Sequence, residues 1–276
     1  MIIVIQILRI LSFLPWSAQR HLGRWIGKII LISGNKRMKF AKKNIDLCFP
    51  DKDQIFRDKL YKDNAYYVGQ SLFDTAIAWF WSNQKIKKHV PHSVMGINLL
   101  QENDQGGLII FKHSLHLELD ARIFGLYRPI IGMGRKHNNV LINKLQDGGR
   151  RKSLKGTIDR KEVRKLVKLL KEREMILYAI DQDYGKENAQ ASEFFGVDCF
   201  TIDTIERIQI ITGCKVFLLD SWMENLVLNL EITEVKGNFS ERKIMELIEK
   251  SIQKHPEEYL WQHRRFKSSL GKKVYE

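Results

Sequence analysis

The chain has 276 residues, 44% of them hydrophobic, and carries 46 Lys and Arg against 32 Asp and Glu, a formal charge of +14 at pH 7. That length can bury a substantial core and fits one α/β domain with appendages better than two equal domains. The basic excess calls for a polyanionic partner, but the absence of zinc-finger spacing, an aromatic ribonucleoprotein motif or a basic heptad segment argues against nucleic acid, and three scattered cysteines, Cys48, Cys199 and Cys214, exclude a disulfide framework and suggest a reducing compartment.

From the N-terminus, Met1 to Leu14 is almost entirely Ile, Leu, Val and Phe, broken by Gln6 and Arg9 and stopped by Pro15. It falls short of the roughly 20 residues that a spanning helix needs. His21 to Ser33 follows as an amphipathic helix, with Leu22, Trp25, Ile26, Ile29 and Ile30 at helical spacing and Arg20, Arg24 and Lys28 between them. Trp16 and Trp25 suit the headgroup level. A cleaved leader is the alternative for Ile2 to Leu14, but its charged n-region is missing. The expected organisation is therefore a membrane anchor and interfacial helix over 1–33 and a main domain over 34–276. Basic residues crowd residues 1–50, where Asp46 is the sole acid, which places that flank and the main domain on the cytoplasmic side.

Residues 51–90 read as helical, with Ile55, Leu60, Tyr67, Leu72, Phe73 and Ile77 on an apolar face, and Trp79, Phe80 and Trp81 as a cluster suited to core packing or to a lipid-facing patch. Beyond residue 106, short apolar runs alternate with amphipathic segments, the pattern of an α/β fold. The predicted strands are Leu108 to Lys112, Pro129 to Met133, Met175 to Ile180, Lys215 to Leu219 and Leu226 to Val235. The predicted helices are Leu115 to Leu126, Lys161 to Glu172, Thr204 to Thr212 and Glu241 to His255.

His113 directly follows a strand, where open α/β sheets place their ligands. On a continuous helix Glu118 would sit about 140° away from it. If Ser114 instead caps the helix, the imidazole can fold back toward Glu118, and a carboxylate on one ring nitrogen frees the other to take a hydroxyl proton. The same spacing also allows His113 to be merely exposed at a capped helix start, with Glu118 near the positive dipole end, and His116 with Asp120 forms a rival pair on one helix face. Asp181, Gln182 and Asp183 follow a second strand end, where acids are costly unless used. Arg135, Asn138, Asn139, Arg150, Arg151 and Arg160 offer donors for phosphate, or belong to a solvated surface. No nucleophile elbow, P-loop, dinucleotide fingerprint or His-Glu-x-x-His is found, so no cofactor or metal is expected.

His113-Ser-Leu-His-Leu-Glu118, Arg135-Lys-His-Asn-Asn139, Asp181-Gln-Asp-Tyr-Gly185 and Tyr259-Leu-Trp-Gln-His-Arg-Arg265 together resemble, in order and separation, the lipid A biosynthesis lauroyl and myristoyl acyltransferases. Leu11-Ser-Phe-Leu-Pro15 and Asn44-Ile-Asp-Leu-Cys-Phe-Pro50 extend the resemblance to the N-terminal region. It implies a glycerolipid-acyltransferase-type mixed sheet flanked by helices, with an N-terminal hydrophobic membrane-anchor helix. The implied reaction moves a fatty acyl group from acyl carrier protein to a hydroxyacyl chain of a Kdo-bearing tetraacyl lipid A precursor, at the bacterial inner membrane and facing the cytoplasm. Acyl carrier protein, the phosphorylated lipid and membrane lipids are the implied partners. His113 resembles the family's base and Glu118 its orienting acid. Arg135, Asn138, Asn139, Arg160, Asp181, Gln182 and Asp183 fall in the substrate-binding blocks, with Arg160 matching the Arg that binds the phosphorylated acceptor. The chain departs from the pattern after Lys215 to Asp220, where Ser221-Trp222-Met223 replaces a Pro-containing strand followed by Arg. An acyltransferase of another phospholipid or glycolipid, or a catalytically silent lipid-binding protein, are the competing readings.

Overall fold

The structure, a computed structural model, describes residues 2–135, 139–202, 204–237 and 239–276. In chain order the elements are α1 (Ile2–Leu11), α2 (Trp16–Ile32), α3 (Lys36–Cys48), α4 (Gln54–Phe80), α5 (Asn83–His89), β1 (His92–Met95), α6 (Ile97–Gln101), β2 (Gly107–Phe111), α7 (Leu117–Phe124), β3 (Ile131–Gly134), α8 (Val140–Arg150) and β4 (Gly156–Asp159). Then come α9 (Val163–Lys171), β5 (Met175–Ala179), β6 (Gln190–Phe194), β7 (Val197–Thr201), α10 (Ile205–Thr212), β8 (Lys215–Glu224), β9 (Val227–Val235), α11 (Glu241–Lys254) and a short α12 (Lys267–Leu270).

Seven strands form one mixed sheet in the order β1-β9-β8-β2-β5-β3-β4, in which β8 and β9 are antiparallel and all other neighbours are parallel. The central strands β2 and β5 are buried along their whole length, as expected of parallel strands covered on both faces. Their side chains alternate between two cores. Leu108, Ile110, Ile176 and Tyr178 enter the one that also holds Met38, Ile45, Ile248 and Trp261, while Ile109, Phe111, Leu177 and Ala179 enter the one with Ile77, Trp81 and Ile123. The expected α/β sheet flanked by helices is the observed architecture.

The antiparallel pair β6–β7 stands apart from the sheet. Its two connecting residues, Phe195 and Gly196, have φ of 53° and 72°, the backbone twist that two-residue hairpins require. Phe194 and Phe195 turn inward on Phe49, Tyr259, Trp261 and Phe266, so this aromatic pair packs the core.

The N-terminal helices are built into the body. Gly23 and Gly27 of α2 lie against Gly69 of α4 so closely that a Cβ at Gly69 would stand 2.0 Å from the Gly23 carbonyl oxygen. Arg20 and Asp74, both buried, close the same interface as an ion pair. Breaking such a pair by removing one partner costs about 3–5 kcal/mol. Ser12, Leu14 and Gln19 fasten the α1–α2 corner: the Gln19 amide donates to the carbonyls of Ser12 (2.9 Å) and Leu14 (2.7 Å). The boundary expected at residue 33 thus falls at the end of a helix packed on α4. Because the glycine face of α2 points inward, Trp25 (64% exposed), Ile29 and Ile32 point out, together with Ile3, Val4, Ile7 and Ile10 of α1. Among the described residues no helix is long and apolar enough to cross a membrane, so a spanning form of the expected anchor finds no support in the fold.

Candidate active site

The parallel register of β2 and β5 builds the site. Phe111 pairs with Ala179 at the last rung, so the residues two positions beyond each strand, His113 and Asp181, meet at the carboxyl edge of the sheet. His113 Nδ1 lies 2.5 Å from Asp181 Oδ1, and the His113 backbone N–H donates to Asp181 Oδ2 at 2.9 Å. Asp181 is fully buried, whereas the His113 side chain keeps 21% of its surface. Burial pushes the Asp181 carboxyl up, but the His113 charge and hydrogen bonds, with a bond from the Tyr259 hydroxyl, outweigh it and hold the pKa at about 2. A permanent carboxylate on Nδ1 fixes the proton there and turns Nε2 into the acceptor.

The expected pairing of His113 with Glu118 is not the one the fold makes. α7 begins only at Leu117, with His116 in the capping position, and Ser114 does not cap it: its hydroxyl donates to Asp120 Oδ2 at 2.6 Å. Glu118, in the first turn, points to α8. It accepts from Arg150 Nη2 (2.5 Å) and Nε (3.1 Å), from Gln146 Nε2 (2.9 Å) and from Trp79 Nε1 (3.3 Å). Burial raises its pKa, yet the Arg150 guanidinium wins and leaves it below the ordinary value. Glu118 is therefore bonded to Arg150, and the carboxylate on the His113 ring is that of Asp181. Spacing along one helix could not show a partner 68 residues away; the visible signal was that both blocks end strands.

A cavity of about 470 Å³ opens beside His113. Phe111, Leu117, Ala121, Leu154 and Leu177 give it an apolar wall, and Arg135, Arg150 and Arg160 a cationic one, with Glu118 and Gln182 also lining it. Of the sequence-predicted residues, His113, Glu118, Arg135, Arg160 and Gln182 thus share one cavity, and Asp181 stands behind His113. Arg160 lies 5.1 Å over the Tyr184 ring. Asn139 instead caps α8, accepting from the backbone of Leu141 (3.0 Å) and Ile142 (3.1 Å). Asp183 accepts from Ser268 Oγ at 2.8 Å and from the Gly185 N–H at 3.0 Å, tying down the C-terminal segment. Asn138 lies outside the described residues.

Two supporting residues belong to the Tyr259–Arg265 block, to which the sequence gave no individual roles. Arg265, buried, donates to the carbonyls of Gln182 and Phe200, both at 2.8 Å. His263 lines a second hollow of about 430 Å³ that shares Gln182 and Leu260 with the first; burial, then the charges of His113 and Arg265, lower its pKa to about 4 and keep it neutral.

A profile described as "Bacterial lipid A biosynthesis acyltransferase" matches residues 1–268. The chain belongs to that family. It is an acyltransferase. A lipid A biosynthesis acyltransferase from Haemophilus influenzae is 34% identical over 98% of this chain and 91% of its own length. Two Escherichia coli relatives, a lipid A biosynthesis palmitoleoyltransferase (32%) and a lipid A biosynthesis lauroyltransferase (33%), each cover 92% of this chain and 87% of their own. Among solved structures, the 1-acyl-sn-glycerophosphate (LPA) acyltransferase PlsC from Thermotoga maritima matches with a TM-score of 0.40 at 13% identity, over 87% of this chain and 94% of that one.

Proposed function

We propose that this acyltransferase moves a fatty acyl chain, laurate or similar, from acyl carrier protein to a hydroxyacyl chain of a Kdo-bearing tetraacyl lipid A precursor, on a glycerolipid-acyltransferase-type fold. The observation that carries this reading is the His113–Asp181 pair at the edge of a cavity that is apolar on one wall and cationic on the other. His113 Nε2 takes the proton of the acceptor hydroxyl as its oxygen attacks the thioester carbonyl carbon. Nearby cations stabilise the tetrahedral oxyanion. When that collapses, the C–S bond breaks and the departing phosphopantetheine thiolate takes the proton back from the imidazolium. No protein nucleophile is needed.

The apolar wall suits an acyl chain, and Arg135, Arg150 and Arg160 suit the phosphates of the acceptor. The +14 charge serves an acidic carrier protein and anionic lipid rather than nucleic acid. The outward apolar faces of α1 and α2, rimmed by Arg9, Arg24 and Lys28, support a protein lying in the cytoplasmic interface of the bacterial inner membrane.

The test is transfer from carrier-bound laurate, myristate and palmitate to the Kdo-bearing precursor, with product mass as the readout. One added chain is expected, and its loss in His113→Ala. No transfer from any donor by the wild type would redirect the reading to another acceptor lipid.

A further inference from the structure

Three residues beyond His113 the same loop carries a second imidazole, which the reaction does not use. His116 is buried, with 2% of its side chain exposed, and each ring nitrogen meets a fully buried carboxylate: Nδ1 lies 2.7 Å from Asp120 Oδ1 and Nε2 2.9 Å from Glu258 Oε2. The remaining carboxylate contacts tie in further elements. Asp120 Oδ2 accepts from Ser114 Oγ (2.6 Å) and from Ser221 Oγ of β8 (2.9 Å), and Glu258 accepts from the Met223 backbone N–H at 3.0 Å.

This cluster sits where the C-terminal segment crosses the His113 loop. Glu258 ends a 3-10 turn, Pro256–Glu258. Its carbonyl accepts from the Leu115 N–H at 2.8 Å, and the Leu260 N–H donates to the His113 carbonyl at 2.9 Å. Ser114 and Tyr259 form an antiparallel bridge between them, and the Tyr259 hydroxyl donates to Asp181. The turn that holds Glu258 therefore fixes the backbone of His113 and the side chain of Asp181 together.

We propose that His116 is a positioning residue: as an imidazolium shared by Asp120 and Glu258, it clamps the C-terminal segment onto the catalytic loop. Two buried carboxylates around one ring repel one another unless the ring between them is charged. Burial lowers the imidazole pKa, but the two carboxylates more than reverse this and raise it to about 10. The other titratable groups facing the cluster are Tyr67 of α4, which hydrogen-bonds Glu258, and His255 and Glu257, which each have a side-chain nitrogen or oxygen within 4.8 Å of the Glu258 carboxylate.

The clamp matters to function only through His113, and so rests on the reading of His113 as the base. Its charge state can be read without any substrate. Nitrogen-15 NMR of the full chain in detergent, labelled at histidine and assigned by His116→Gln, is expected to show both His116 nitrogens protonated at pH 8.5; a neutral ring there would overturn the proposal. In the transfer assay, His116→Gln is expected to lower kcat about 100-fold, the scale of a misplacement of about 1 Å, with KM little changed. His116→Gln/Glu258→Gln, which removes one of the two carboxylates left without their shared cation, is expected to recover at least about ten-fold of that. A single variant as active as wild type, or a double variant no better than the single, would also overturn it. Absence of wild-type transfer beside a charged His116 would instead count against the substrate reading alone.

Discussion

Two imidazoles three residues apart, both set against buried carboxylates, have opposite fates in this molecule. His113 has one carboxylate on Nδ1 and a cavity on its other side, so it can exchange a proton with a substrate. His116 has a carboxylate on each nitrogen and almost no exposed surface. The number of carboxylates and access to solvent, not the residue type, separate a base from a clamp. Asp181 carries the weight of that distinction on the His113 side, since it holds His113 through both ring and backbone.

The sharpest way to break the comparison is to remove the proposed base. His113→Ala is expected to cost about 10³- to 10⁴-fold in kcat, the upper range of general base catalysis, measured by steady-state transfer. Glu118→Gln should cost about 10- to 100-fold, because it frees Arg150 at the cavity wall while leaving the ring's tautomer intact; a loss equal to that of His113→Ala would return the orienting role to Glu118.

The clamp also has a signature in stability. With a folded pKa of about 10 against about 6.5 unfolded, the His116 proton stabilises the fold fully below pH 6.5 and progressively less as pH rises toward 10. The stability gap between wild type and His116→Gln in denaturant titrations should therefore narrow across that window. A gap that is constant or widens with pH would remove the charge from the clamp. The smallest effect is expected far from both rings: Trp25→Ser/Ile29→Ser should weaken partition onto anionic vesicles several-fold, through lost apolar burial, with soluble-donor chemistry at His113 preserved. Undiminished partition would move the contact surface elsewhere.

Much of this molecule was readable from its sequence. β2, β5, β8 and β9 and the helices α7, α9, α10 and α11 lie within a few residues of the periodic runs that announced them, because buried apolar runs ended by polar residues leave few alternatives. The short edge strands β1 and β4 and the β6–β7 hairpin were missed; four or five residues with mixed burial have too little pattern to stand out. At the site, the strand-end positions of His113 and Asp181 were legible, but their pairing was not, since it follows from the register of β2 against β5. Asn139 and Asp183 read as substrate ligands because capping and turn-forming side chains have the same chemistry as ligands. The rival pairing of His116 with Asp120 was visible at helical spacing, and only Glu258, 142 residues on, turns it into a clamp.

The most direct test of the central claim is a double-mutant cycle on His113→Ala and Asp181→Asn in the acyl transfer assay, with folding checked by circular dichroism. Two residues acting as one unit are strongly non-additive. Asp181→Asn alone is expected to lose about 10³-fold or more through the wrong tautomer, and the double variant to be no worse than His113→Ala. Independent, multiplying losses, or near wild-type transfer by Asp181→Asn, would contradict the account.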